Sequence, residues 1–216
     1  MRRTSLAVLL CALVAVPAAG AHLGGPKGFK STVTSYSPAT KGIQAIMLGG
    51  DDRLVVHNNT GQTLIIKGYS GEPYLRFSKD AVYQNDRSPA VFLNSDRYAN
   101  VQVPPTVSAK AKPQWEKMLP GHAFTWHDHR VHWMSPILPP AVQKDPGATH
   151  HIFNWTIPAE LNGKPLTIHG TLNYVPPATS SSPRWWLLIV LLTLAVVGGV
   201  AAFFLYRRQP AKPKAA

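Results

Sequence analysis

From Trp185 to Tyr206 the chain runs 22 residues without a charge. At about 1.5 Å per residue a helix of that length matches a bilayer core of roughly 30 Å, so the segment reads as a transmembrane helix. Trp185 and Trp186 at one end and Tyr206 at the other suit the two interfaces, and Arg207, Arg208, Lys212 and Lys214 follow directly, as a cytoplasmic tail would. A second apolar run lies at the other end. Met1-Arg2-Arg3, the run Leu6 to Val16 and the small residues Ala18 to Ala21 form a secretory signal peptide, with cleavage expected before His22.

These two ends give a layout: signal peptide 1–21, N-terminal segment 22–42, an exported domain 43–176, a stalk 177–184, the membrane helix 185–206 and a tail 207–216. The expected location is the plasma membrane, single-pass, with the N-terminal domain extracytoplasmic and the C-terminus cytoplasmic. The formal net charge of +12 shrinks under this layout. Six of the 22 Lys and Arg are the topology residues Arg2, Arg3, Arg207, Arg208, Lys212 and Lys214, and the remaining 16 against 10 Asp and Glu leave +6 on the exported part. No basic run appears there, which argues against nucleic acid as a partner. The membrane itself is the one partner the layout implies.

The single cysteine, Cys11, falls in the signal peptide. The exported domain therefore has no disulfide, no thiol nucleophile and no thiolate for blue-copper or iron-sulfur chemistry, and must rest on its own core. Short β-branched and aromatic runs separated by turn residues fill it: Ile43 to Leu48, Arg53 to His57, Thr63 to Lys67, Tyr74 to Phe77, Ala81 to Tyr83, His122 to Trp126, His150 to Ile157 and Leu166 to Val175. The pattern predicts an all-β fold, an Ig-like antiparallel β-sandwich ectodomain followed by one C-terminal transmembrane helix. Two hairpins are expected, one around Asn58-Asn59-Thr60-Gly61 and one around Asn162-Gly163. Order before Lys41 is left open apart from a strand-like patch at Ser31 to Tyr36, and the Pro- and Lys-bearing stretch Asn94 to Pro120 reads as a long surface loop.

Chemistry concentrates in "WHDHRVHWM", Trp126 to Met134, with three of the chain's nine histidines. Neutral imidazole is the commonest ligand for late first-row metals, and a Cys-free exported domain favours copper(II) or zinc. On a strand, His127 and His129 share one face while Asp128, Arg130 and His132 share the other, so all three histidines meet one ion only if the chain bends. The bland alternative is a structural lock, with Trp126, Trp133 and Trp155 in the core and Asp128 paired to Arg130. Motif counting alone favours that alternative. His22, exposed as an N-terminal residue by the cleavage, offers an α-amino group and an imidazole to the same ion. The metal candidates are therefore His22, His127, His129 and His132. No Gly-x-Ser-x-Gly, His-Glu-x-x-His or phosphate-loop pattern is present, and no paired carboxylates stand out, so the chain is read as a binding protein rather than an enzyme.

"GYSGEPYLRF" (Gly68 to Phe77), "RSPAVFLN" (Arg87 to Asn94) and "WHDHRVHWM" resemble a family of exported, single-anchor actinobacterial proteins, and the resemblance implies architecture rather than activity. A looser likeness, resting on His22 and the overall layout, is to the CopC-like and YcnI-like copper proteins. It implies copper as the ion. The competing expectation is a protein-interaction or envelope-assembly module, in which Tyr69, Tyr74, Arg76, Tyr83, Arg87 and Phe92 meet an envelope protein partner and the His/Trp motif is structural.

Overall fold

A computed structural model describes residues 27–177 and 185–207. The signal peptide, Cys11, His22, most of the stalk and the tail beyond Arg207 lie outside the described residues. The described chain forms two compact units, one on each side of residue 178.

The first unit is an antiparallel β-sandwich of ten strands: β1 (Phe29–Ser37), β2 (Ile43–Leu48), β3 (Arg53–Asn58), β4 (Leu64–Lys67), β5 (Pro73–Phe77), β6 (Ala81–Asn85), β7 (Trp115–Pro120), β8 (Ala123–Trp126), β9 (His150–Leu161) and β10 (Lys164–Tyr174). They form a seven-stranded sheet in the order β1-β10-β9-β4-β5-β6-β7 and a three-stranded sheet in the order β2-β3-β8. Two short helices, α1 (Pro89–Leu93) and α2 (Pro140–Lys144), and a 3-10 turn, His129–Val131, occupy the connections. The second unit is α3 (Trp185–Arg207), a helix long and apolar enough to cross a bilayer.

Alternation explains the strands. In β3 and β4 every second residue is fully buried, Leu54 and Val56 then Leu64 and Ile66, and these meet Phe77, Val82, Ile157, Ile168 and Leu172 in the space between the sheets. The turn at Asn162-Gly163 closes the β9–β10 hairpin with both residues at positive φ, 49° and 75°, the geometry a two-residue hairpin loop demands.

The expected hairpin at Asn58 to Gly61 is instead a corner between sheets. β3 pairs with β2 and β8, whereas β4 pairs with β5 and β9, so the two strands face each other through the core rather than side by side. The turn chemistry is nonetheless local and real. Asn58 accepts hydrogen bonds from the Thr60 hydroxyl at 2.7 Å and donates to the Gln62 carbonyl at 2.6 Å. Two further strands lie where the sequence pattern is weak. β1 pairs along β10 from Phe29↔Tyr174 to Ser37↔Thr167, so the sheet begins before Ile43. β7 pairs with β6 and ends the expected long loop at Gln114; its mostly exposed face hides the period-2 signal.

One cross-strand pair is unusually tight. Gly170 of β10 stands opposite Trp155 of β9, and a Cβ on Gly170 would fall 2.0 Å from the Trp155 ring. The indole lies across the glycine and donates from Nε1 to the Ser31 hydroxyl of β1 at 2.7 Å. Three adjacent strands are thereby joined through one side chain.

Candidate metal centre

β8 ends at Trp126, and the chain then bends. Asp128, extended at φ −137° and ψ 120°, caps the 3-10 turn by accepting the Arg130 backbone N–H at 3.1 Å. The same carboxylate accepts the Trp126 indole N–H at 2.9 Å and two guanidinium bonds from Arg130 at 2.8 and 2.7 Å. Arg130 also donates to the Lys67 carbonyl at 3.0 Å and lies 5.0 Å from the Tyr69 ring centre. Asp128 is completely buried. Burial opposes its ionisation, yet the Arg130 bonds and charge prevail and hold its carboxyl below the usual range.

This turn supplies the bend that an ideal strand lacks, and it overturns the division of the three histidines between opposite faces. His127, His129 and His132 converge: one ring nitrogen from each lies within 4.8 Å of the others. The ring centroids are 4.5 Å apart for His127 and His132, 5.3 Å for His127 and His129, and 5.4 Å for His129 and His132.

Each ring is fixed by a main-chain carbonyl. His127 Nδ1 meets the Asp52 carbonyl at 2.7 Å, His129 Nε2 the Asp96 carbonyl at 2.8 Å, and His132 Nδ1 the Trp133 carbonyl at 3.0 Å. A carbonyl only accepts, so each of these nitrogens carries the proton and the opposite nitrogen presents a lone pair. This is how metal-binding histidines are ordinarily oriented by their surroundings. The nitrogens left over are Nε2 of His127, Nδ1 of His129 and Nε2 of His132. Nε2 of both His127 and His132 is buried and has no hydrogen-bond partner among the described residues.

Burial favours the neutral rings that a metal requires. It lowers the pKa of His127, and it lowers that of His132, which is 1% exposed, to about 3. Arg97 reinforces both shifts; it bonds Asp51 at 2.8 Å and Asp52 at 3.4 Å beside the cluster.

All three quoted motifs meet here. Tyr69 of the first donates its hydroxyl proton to the Asn94 side chain of the second, and its oxygen accepts the backbone N–H of His129 in the third at 3.0 Å. Tyr69 and His129 stack with centroids 5.9 Å apart. Ser88 caps α1 and also donates to the buried carboxylate of Glu72 at 2.6 Å, tying the first two motifs together. Tyr74 is buried in the core, and Tyr69 is partly buried and packed against it. Arg76 is held between the rings of Tyr83 and Trp115 at 4.3 and 4.6 Å.

The remaining described histidines do not join the cluster. His57 and His169 sit in strands β3 and β10, His122 precedes β8 with its carbonyl accepting the Asn58 backbone N–H, His150 bonds the Asp145 carbonyl, and His151 lies beside Asn173 and Thr171. Sequence reasoning passed over Asp52, Asp96 and Arg97 and gave Tyr69 a different role; all four stand in loops with no local pattern of their own. A cavity of about 240 Å³, lined by His129, His132, Trp133, Met134, Ser135 and Phe153, adjoins the cluster. No protein-family model, curated protein or solved structure matches the chain, so the functional reading rests on this geometry.

Proposed function

We propose that the sandwich is a metal-binding module, held at the membrane by α3, with His127, His129 and His132 as ligands to a divalent late first-row ion. The observation that carries this reading is the pair of buried Nε2 atoms with no partner among the described residues. A buried polar atom left unsatisfied costs about 1–3 kcal/mol, so a purely structural lock would gain by using these positions otherwise. An ion satisfies all three lone pairs together. With metal–nitrogen bonds of about 2.0–2.1 Å in tetrahedral geometry the nitrogens would stand roughly 3.3 Å apart, against the 4.8 Å within which one nitrogen of each ring now lies.

Three neutral imidazoles without thiolate or carboxylate suit copper(II) or zinc, and copper agrees with the likeness to exported copper proteins. The signal-peptide pattern at the N-terminus and the basic residues after Tyr206 support an extracytoplasmic domain and a cytoplasmic tail. His22 is a further ligand candidate under this reading. The module binds its ion rather than turning over a substrate.

The test uses the full chain in detergent micelles, titrated with copper(II) or zinc by calorimetry, with electron paramagnetic resonance for copper. One ion per chain is expected, with nitrogen hyperfine structure for copper, and His132→Ala should weaken binding tenfold or more. Equal binding by the wild type and a His127→Ala/His132→Ala double variant would exclude the assignment.

A further inference from the structure

Three protein ligands leave a tetrahedral ion one position short, and a closed structural site is distinguished from an open one by what occupies the fourth. His129 and His132 both contribute to the wall of the adjoining cavity, whose other lining residues, Trp133, Met134, Ser135 and Phe153, bring one hydroxyl and no charge. Its volume of about 240 Å³ has room for a ligand of several atoms, and the exposed Met134 puts one wall at the surface.

The carboxylates near the cluster are already engaged, Asp96 by the backbone N–H groups of Tyr98 and Asn100. The ligands are neutral, so the charge of a divalent ion is not offset by its own first coordination shell. Asp128 is consumed by Arg130 in a bidentate pair. Asp51 and Asp52 are bound by Arg97, and Asp52 approaches His127 on Nδ1, at 3.7 Å, away from the lone-pair side. Arg97 is itself largely buried, with Nε lacking a partner among the described residues. A cation in this setting attracts a small anion.

We propose that the ion held by His127, His129 and His132 keeps one exchangeable position facing this cavity, and that a small anion takes it in place of water. This rests on the metal-binding reading above. The exchange is a substitution without redox change: the anion donates an electron pair to the ion, and water departs with its own. A wall of Trp133, Phe153 and Met134 limits the occupant to a compact one.

The experiment is an azide titration of the copper(II)-loaded full chain in detergent, followed by absorption and paramagnetic resonance. A saturable azide-to-copper charge-transfer band is expected. Ser135→Trp, which fills the cavity from a partly exposed position, should leave copper binding intact and weaken azide at least tenfold. Copper binding with no azide band, the result that His22 in the fourth position would give, would overturn the inference and leave the metal reading standing. So would a band that appears only in Met134→Ala, because the thioether would then be the fourth ligand. An azide affinity unchanged in Ser135→Trp would show that the open position faces elsewhere. Failure to bind copper or zinc at all would sink both readings.

Discussion

His127 and His132 face each other with ring centroids 4.5 Å apart, and Nε2 of each is buried without a hydrogen-bond partner among the described residues. Two such lone pairs at close range repel, and under the proposed function an ion between the rings would relieve that repulsion. Binding to the folded state alone stabilises by about 2.7 kcal/mol at a hundredfold excess over Kd. A melting temperature raised by roughly 5–10 °C is therefore expected on adding copper(II) or zinc, with chelator reversing it. A melting curve indifferent to both metals and chelator would contradict this.

The same burial predicts how the metal-free domain responds to acid. Unfolded histidine takes a proton near pH 6.5, whereas burial holds folded His132 neutral down to about 3. Between these values the unfolded state binds the extra proton, so stability is full above 6.5 and falls as pH drops. The slope is about 1.4 kcal/mol per pH unit from His132, steepened by the lowered pKa of His127. Urea unfolding between about pH 7 and 5 checks this, and His132→Leu should flatten the curve.

Asp128 holds the bend. Asp128→Asn keeps the shape but leaves the largely buried Arg130 with an unpaired charge, and breaking a buried pair in this way costs about 3–5 kcal/mol at most. Chemical denaturation should show that loss. Because the cap of the 3-10 turn weakens too, metal affinity should fall in the same variant although no ligand is touched.

Gly170→Ala should be among the most damaging methyl additions in the domain, since the new carbon would lie 2.0 Å from the Trp155 ring. Displacing the indole also breaks its bond to Ser31. A loss of about 1–3 kcal/mol is expected, read as a lower denaturation midpoint with tryptophan fluorescence shifted to the red. Gly163→Ala, with open space around its Cβ position, separates steric crowding from the strain of positive φ alone.

Much of the sandwich is written in local patterns. Alternation at Leu54, Val56, Leu64 and Ile66 marks two strands, and Asn162-Gly163 marks the hairpin between β9 and β10. What alternation omits is which strands pair. Asn58 to Gly61 carries a turn signature in either case, and only the other partners of β3 and β4 decide that it joins two sheets. The strand β7 was hidden for a related reason, because its residues are mostly exposed and carry little apolar contrast. The histidines were visible as candidates, but their convergence depends on a three-residue turn capped by Asp128, a feature of one residue's hydrogen bonds rather than of any period.

The three bonds that aim the imidazoles end on the peptide oxygens of Asp52, Asp96 and Trp133. A peptide oxygen is the same atom whatever side chain its residue carries. An alanine scan would therefore single out the three histidines and pass silently over the atoms that point them. Grafting His127, His129 and His132 onto another sandwich would copy the ligands without their aim, because that information resides in the path of the backbone.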